Sequence, residues 1–352
     1  MQMYQLETPA LILDMDKMEA NIRTMQKHVE SCGVALRPHY KSHKCPQIAI
    51  WQMEAGAIGI TTAKLGETED LVNVGIKDIL LANQVVDPAK ISRLAHMAKR
   101  CHLGVCVDNE ENIDNLQKAA ALADSKIYCL VEYEVGQRRC GVETKEEFLH
   151  LAKKISDCPN LVYEGIQAYA GHLARLSPTE ARKEASNKVD VRVKELIDYL
   201  AANGLPAEKV SGASTGTSIF KGKGIYTEIQ AGTYLLMDAA YGSLGLNFQN
   251  ALFVLADVVS LKKDRIVTDA GVKTLGIDQG HPKLVGHPNV EVDLSEEHVT
   301  FFMKEHNFKL GDKVLLLPAH GCTTMNLHNK INMLRGNEIT GVIDITSRGK
   351  CR

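Results

Sequence analysis

The run Arg37-Pro-His-Tyr-Lys-Ser-His-Lys44 places two lysines, two histidines and an arginine within eight residues. An amine at Lys41, held among Arg37, His39 and His43, has its charged form disfavoured by like charge and burial, which frees it to condense with a carbonyl. A solvated basic turn is the alternative. Ser211-Gly-Ala-Ser-Thr-Gly-Thr217 and Gln230-Ala-Gly-Thr-Tyr234 are hydroxyl-bearing glycine loops of the kind that meet a phosphate with backbone amides. Neither is a dinucleotide fingerprint or a P-loop, because no strand–GxGxxG–helix unit or GK[ST] is present. In Pro318-Ala-His-Gly-Cys-Thr-Thr-Met-Asn326, His320 and Cys322 point to one face of an extended segment and can grip one ion. Imidazole with thiolate favours zinc, and two protein ligands leave positions open for water or substrate. An incidental His and Cys in a turn would read the same. Val135-Gly-Gln-Arg-Arg-Cys-Gly141 and Gly165-Ile-Gln-Ala-Tyr-Ala-Gly-His172 offer Arg139 for a phenolate and Gln167, Tyr169 or His172 for a ring. The bland reading of both is a polar, half-buried strand end.

Elements that could position these groups follow from periodicity. Asp16 with Glu19 resembles a capping box, Met18, Ile22, Met25 and Val29 recur at helical spacing, and Gly33 ends the segment. Short apolar runs then predict strands at Ala35–Lys41, Ala57–Thr62, Asp78–Ala82, Leu103–Val107, Lys126–Glu134, Tyr163–Ala170, Lys209–Ser214 and Ile229–Met237. Helical patterns fall between them, as at Pro88–Arg100, Asn109–Ala123, Lys145–Ile155 and Thr179–Asn203. Near-continuous apolar strands alternating with helices predict an N-terminal (β/α)8 barrel, with Lys41, Arg139 and Tyr169 at the strand ends that face an active site. After Tyr241 the pattern turns to strands with Gly, Asp and Pro turns, namely Ala251–Ser260, Arg265–Asp269, Lys313–Leu317 and Glu338–Asp344. The expected division is a barrel over residues 15–241 and an all-β domain over 242–352, joined by the N-terminal strand within 1–14.

Composition excludes several classes. Of 352 residues, 41 are Lys or Arg and 43 are Asp or Glu, so a net charge of −2 gives no basis for binding nucleic acid or an anionic membrane. One Trp and 5% aromatics argue against a base-stacking platform. No apolar run approaches the ~18 residues of a membrane helix, and the first residues lack a signal-peptide pattern. The nine cysteines contain no CxxC pair and read as free thiols of a cytoplasmic protein.

Taken in order, these segments resemble the D-threonine aldolase / D-serine dehydratase family, the metal-dependent branch of alanine-racemase-like, fold-type III pyridoxal-phosphate enzymes. The likeness runs nearly the whole chain: the Thr8-Pro-Ala opening, RPHYKSHK, Ala63-Lys-Leu-Gly-Glu67, GQRRCG, GIQAYAGH, STGT, IQAGTYLLMD, Asp269-Ala-Gly-Val-Lys273, Ser295-Glu-Glu-His298 and PAHGCTTMNLH. It implies a barrel plus β domain, pyridoxal 5'-phosphate and a divalent metal, with zinc ahead of manganese or cobalt. By position it implies Lys41 as the Schiff-base lysine and Arg139 near the phenolic oxygen. Thr215, Gly216, Thr217, Gly232 and Thr233 would hold the phosphate, Tyr169 and Gln167 would lie by the ring, and His320 and Cys322 would hold the metal.

Two departures bear on the reaction. The family's aldolases tend to carry Asp where Cys322 stands, and a His further past the Tyr of the QAYxG segment, where Arg175 lies near and His172 sits closer in. Both lean towards dehydration of a D-serine-like or D-3-hydroxyaspartate-like substrate to a 2-oxo acid and ammonia. Retro-aldol cleavage to glycine and an aldehyde, with His172 as a base, is the alternative. An amino-acid racemase comes third, since no second acid/base is identified, and a non-catalytic cofactor carrier would lack the residues after Tyr241. A homodimer acting on a small D-amino acid is expected.

Overall fold

The first predicted helix forms as Met15–Cys32, with Met18, Ile22, Met25 and Val29 all buried. Its cap differs from the expectation. Asp14, not Asp16, accepts the Lys17 amide at 3.1 Å, while Asp16 and Glu19 both receive the Arg335 guanidinium. A pairing 316 residues away in sequence is invisible to a local capping pattern.

The computed structural model describes residues 1–352 and divides into two units. One comprises Gln26–Lys41, Ile48–Gly232 and Lys350–Arg352. It is built on eight parallel strands ordered Ala35–Leu36, Glu228–Ile229, Lys209–Gly212, Leu161–Ala168, Ile127–Glu132, His102–Val107, Asp78–Leu81 and Ile60–Thr62. The ends meet where His39 bridges Thr61 in parallel and the Thr61 amide donates to Pro38 O at 2.8 Å. This is the barrel the apolar runs predict. Leu103, Val105, Val107, Ile127, Cys129 and Val131 are wholly buried, each large apolar side chain contributing roughly 1.5–3 kcal/mol relative to exposure.

Helix starts in this unit follow their caps. Asn109 accepts the Glu111 and Asn112 amides, Asp87 accepts the Lys90 amide ahead of Pro88, and Thr144 with Glu147 forms a reciprocal capping box. Two predicted strands are cut to two residues each. Ala35–Leu36 gives way beyond Pro38 to a 3-10 turn, Tyr40–Ser42, that carries Lys41. Glu228–Ile229 gives way to the 3-10 turn Thr233–Leu235, because a fully buried apolar run has no periodicity to mark where extended backbone ends.

The second unit comprises Met1–Met25, Ser42–Gln47 and Thr233–Gly349. Its nine-stranded sheet runs through Glu291–Leu294, Val299–Phe302, Arg265–Thr268, Leu252–Lys262, Ala10–Asp14, Lys330–Arg335 and Glu338–Asp344, with Lys313–Leu317 paired to Leu252–Lys262 and Lys283–Leu284 to Lys313–Leu317. Ala10–Asp14 joins it as expected, antiparallel to Leu252–Leu255 and parallel to Asn332–Leu334. The edge hairpin went unread in the sequence. Its strands are half exposed, and the Ser295–His298 segment is its turn, closed by the Ser295 amide on His298 O at 2.9 Å. No helix of the chain is long and apolar enough to cross a membrane.

Candidate active site

At the C-terminal ends of the barrel strands lies a cavity of about 160 Å³ whose wall includes His39, Lys41, Asn83, Arg139, Cys140, Gln167, Tyr169 and Gln230. Four elements converge there. The 3-10 turn after the first strand brings Lys41, the strand Leu161–Ala168 brings Gln167, the residue just beyond it brings Tyr169, and the loop after Ile127–Glu132 brings Arg139. Lys41 Nζ stands 5.4 Å and the Arg139 guanidinium 5.7 Å from the centre of the Tyr169 ring. Both distances fall within the roughly 6 Å over which an aromatic ring attracts a cationic group, so Tyr169 is a common neighbour of the two side chains.

The floor is polar and fully engaged. Gln167 and Gln230 exchange amide hydrogen bonds at 3.2 and 2.7 Å, Gln230 donates to Ser211 Oγ at 2.7 Å, and Ser211 donates to Glu228 at 2.6 Å. Glu228 pairs with Arg37, which also reaches Asp78 at 2.6 Å. Arg37 is therefore not among the groups around Lys41, as its neighbourhood in sequence had suggested. It is the buried cation of the barrel interior, because an inward-facing charge there must find carboxylates.

The other expected residues fall into three groups. Thr215, Gly216 and Thr217 form a buried turn in which Thr217 Oγ1 accepts the Ser214 amide at 3.0 Å, and Gly216 lies against Ala174 so closely that a Cβ would sit 1.7 Å from its carbonyl oxygen. This turn and the buried Gly232 are not part of the cavity wall. His172 is exposed, off that wall, and rests against Gly136. Thr233 belongs to the β unit, where its hydroxyl is 3.9 Å from Cys322 Sγ.

In that unit His320 and Cys322 face each other across a hydrogen bond, and the Asp278 carboxylate accepts from His320 Nδ1 and from the Thr323 hydroxyl, both at 2.7 Å. Burial disfavours the imidazolium, but Cys322 and Asp278 outweigh it and lift His320 to about 9. Burial likewise pushes the Cys322 thiol up, and His320 with the Ser42 hydroxyl draws it below its ordinary value. An imidazole beside a thiol whose ionised form its neighbours favour is a donor set that suits a borderline-soft divalent cation. No cluster of three or more His, Cys, Asp or Glu occurs that would hold a metal by protein groups alone. Asp278 and Gln230 are absent from the sequence-derived site, Asp278 because it lies in a Gly/Asp turn 42 residues from its partner.

Residues 13–240 match the family model for the alanine racemase N-terminal domain, and residues 251–334 match one for a serine dehydratase domain. The chain belongs to this family of pyridoxal-phosphate-dependent lyases. Across 99% of its length it is 36% identical to a D-threonine aldolase of Arthrobacter sp, spanning 94% of that protein. Across 98% it is 38% identical to a 3-hydroxy-D-aspartate aldolase of Paracoccus denitrificans, spanning 93% of it. Among solved structures, the D-threonine aldolase of Filomicrobium marinum superposes with a TM-score of 0.96 at 35% identity, over 99% of this chain and 98% of that one. The D-threo-3-hydroxyaspartate dehydratase of Delftia sp. gives 0.89 at 25% identity, over 97% and 98%. A cysteine-to-alanine variant of that dehydratase has been solved in a metal-free form.

Proposed function

We propose that the chain cleaves D-3-hydroxy-amino acids between Cα and Cβ, yielding glycine and an aldehyde. One observation carries this reading: the fold follows the aldolase at a TM-score of 0.96 against 0.89 for the dehydratase. The residues at Cys322 and Arg175 lean the other way, towards dehydration.

The donors fit pyridoxal phosphate, with an amine for its aldehyde at Lys41, a guanidinium for its phenolic oxygen at Arg139 and a ring at Tyr169. Thr215, Gly216 and Thr217, with Gly232 and Thr233, would hold its phosphate, and Gln167 its ring edge. When bound, the group supplies the electron sink for the pair left on Cα. Lys41 Nζ is the proton carrier at Cα, and its proton completes glycine after the Cα–Cβ bond breaks. His320 and Cys322 would hold a divalent cation, zinc by the softness of the thiolate, supplying Lewis acidity to the β-hydroxyl. Asp278, by accepting from His320 Nδ1, fixes the ring for ligation through its other nitrogen. His172 is exposed and off the cavity wall, so it is not placed to take the proton of the β-hydroxyl; a cation held at His320 and Cys322 would make that hydroxyl more acidic, its proton passing to water.

Dehydration is the second reading, favoured by Cys322 itself, since a thiol ligand is where this chain departs from the aldolase pattern. Incubating the holoenzyme with D-threonine and D-3-hydroxyaspartate separates the two. Glycine with acetaldehyde or glyoxylate is expected, and a predominance of 2-oxo acid with ammonia overturns the aldolase reading.

A further inference from the structure

Arg139 belongs to a loop, residues 135–141, with no regular structure of its own. The loop's base is firm. Glu134 N–H donates to Val142 O at 3.0 Å, Val142 N–H to Glu132 O at 2.9 Å, and Gly141 N–H to Asp108 at 2.9 Å. The Arg139 side chain is nevertheless 47% exposed, so nothing in the loop's backbone keeps its guanidinium over Tyr169 rather than in solvent. The group that can do so is Glu132, the last residue of the strand Ile127–Glu132, with its carboxylate buried at the cavity end. Its Oε1 is 3.5 Å from Arg139 Nη2, and its Oε2 accepts from Gln84 Nε2 at 2.7 Å. Gln84 is itself turned towards Asp108 at 3.3 Å. Each carboxylate oxygen thus has its own donor, Gln84 in the segment after the strand Asp78–Leu81 and Arg139 on the loop.

We infer that Glu132 is a positioning residue, which holds the Arg139 guanidinium in the cavity and partly offsets its charge beside Lys41. This rests on reading Arg139 as the contact for the phenolic oxygen of pyridoxal phosphate. A charged group buried at a strand end needs a counter-ion, and a long exposed side chain on a loop needs an anchor; one ion pair meets both needs. Burial also lifts the Glu132 carboxyl above its ordinary value, against the pull of Gln84 and Arg139.

The test is a double-mutant cycle read in cofactor binding to the full chain. Glu132→Gln should weaken pyridoxal phosphate by about ten-fold, the scale of one charge-assisted hydrogen bond. It should also change the visible circular dichroism of the bound cofactor, and do neither when Arg139 is already Gln. Gln84→Ala, which removes only the second donor, should act in the same direction, more weakly, and be equally silent on the Arg139→Gln background. It keeps the inference testable if Glu132→Gln does not fold. Full additivity with Arg139→Gln, or a lowered Tm with unchanged affinity and dichroism, overturns the role of Glu132. An unaltered chain that takes up no pyridoxal phosphate overturns the reading of Arg139 and the assignment with it, which separates the two failures.

Discussion

His102 opens the strand His102–Val107 and carries a charge whose partners set a pH limit on the barrel. Its Nδ1 is 3.5 Å from Asp78 and its Nε2 is 2.7 Å from Glu164, and its ring lies 3.8 Å from that of Tyr128. Asp78 and Glu164 lift it from 6.5 to about 9 against the cost of burial. The shift corresponds at full strength to roughly 3 kcal/mol. The imidazole is 30% exposed, and screening brings this to about 2 kcal/mol. Because the folded pKa is the higher one, the contribution is complete below about pH 6.5, declines above it, and is gone once the pH passes about 9. His102→Gln removes the charge and keeps a donor, and both carboxylates retain a cation, Asp78 in Arg37 and Glu164 in Lys209. Urea unfolding of both proteins should therefore show a stability difference of about 2 kcal/mol at pH 6 that has largely vanished by about pH 9.5. A difference constant across that range, or one that grows with pH, would refute the reasoning, since it would trace to lost packing on Tyr128 rather than to charge.

Three further outcomes are expected. Lys41→Ala should leave no residue that borohydride can fix to pyridoxal phosphate and should lower turnover by at least about 10³-fold, checked by peptide mapping and product assay. Cys322→Ala should abolish stoichiometric zinc uptake by the purified protein while pyridoxal phosphate still binds, because Lys41 and Arg139 belong to a different unit of the chain from His320 and Cys322. Gly216→Ala must displace the Thr215–Thr217 turn from the Ala174 carbonyl, at about 1–3 kcal/mol, and should weaken pyridoxal phosphate in an absorption titration, whereas an unchanged affinity would remove that turn from the phosphate site.

The barrel was legible in the sequence because eight apolar segments separated by helical patterns leave few packings that bury both faces of every strand. The family was legible because its motifs are short, local and ordered along the chain. What failed were inferences from neighbourhood in sequence. Arg37, four residues before Lys41, points into the barrel interior to Glu228 and Asp78, and Asp16 and Glu19 meet Arg335 instead of capping their own helix. The same limit hid Glu132, Gln84, Gln230 and Asp278. A polar side chain on one strand or loop is unremarkable until the fold sets it beside a partner tens or hundreds of residues away. Residue types and local spacing determine which chemistry is available. Which charges meet is decided only by tertiary closure, because electrostatic and hydrogen-bond energies fall off over a few ångströms of space and take no account of distance along the chain.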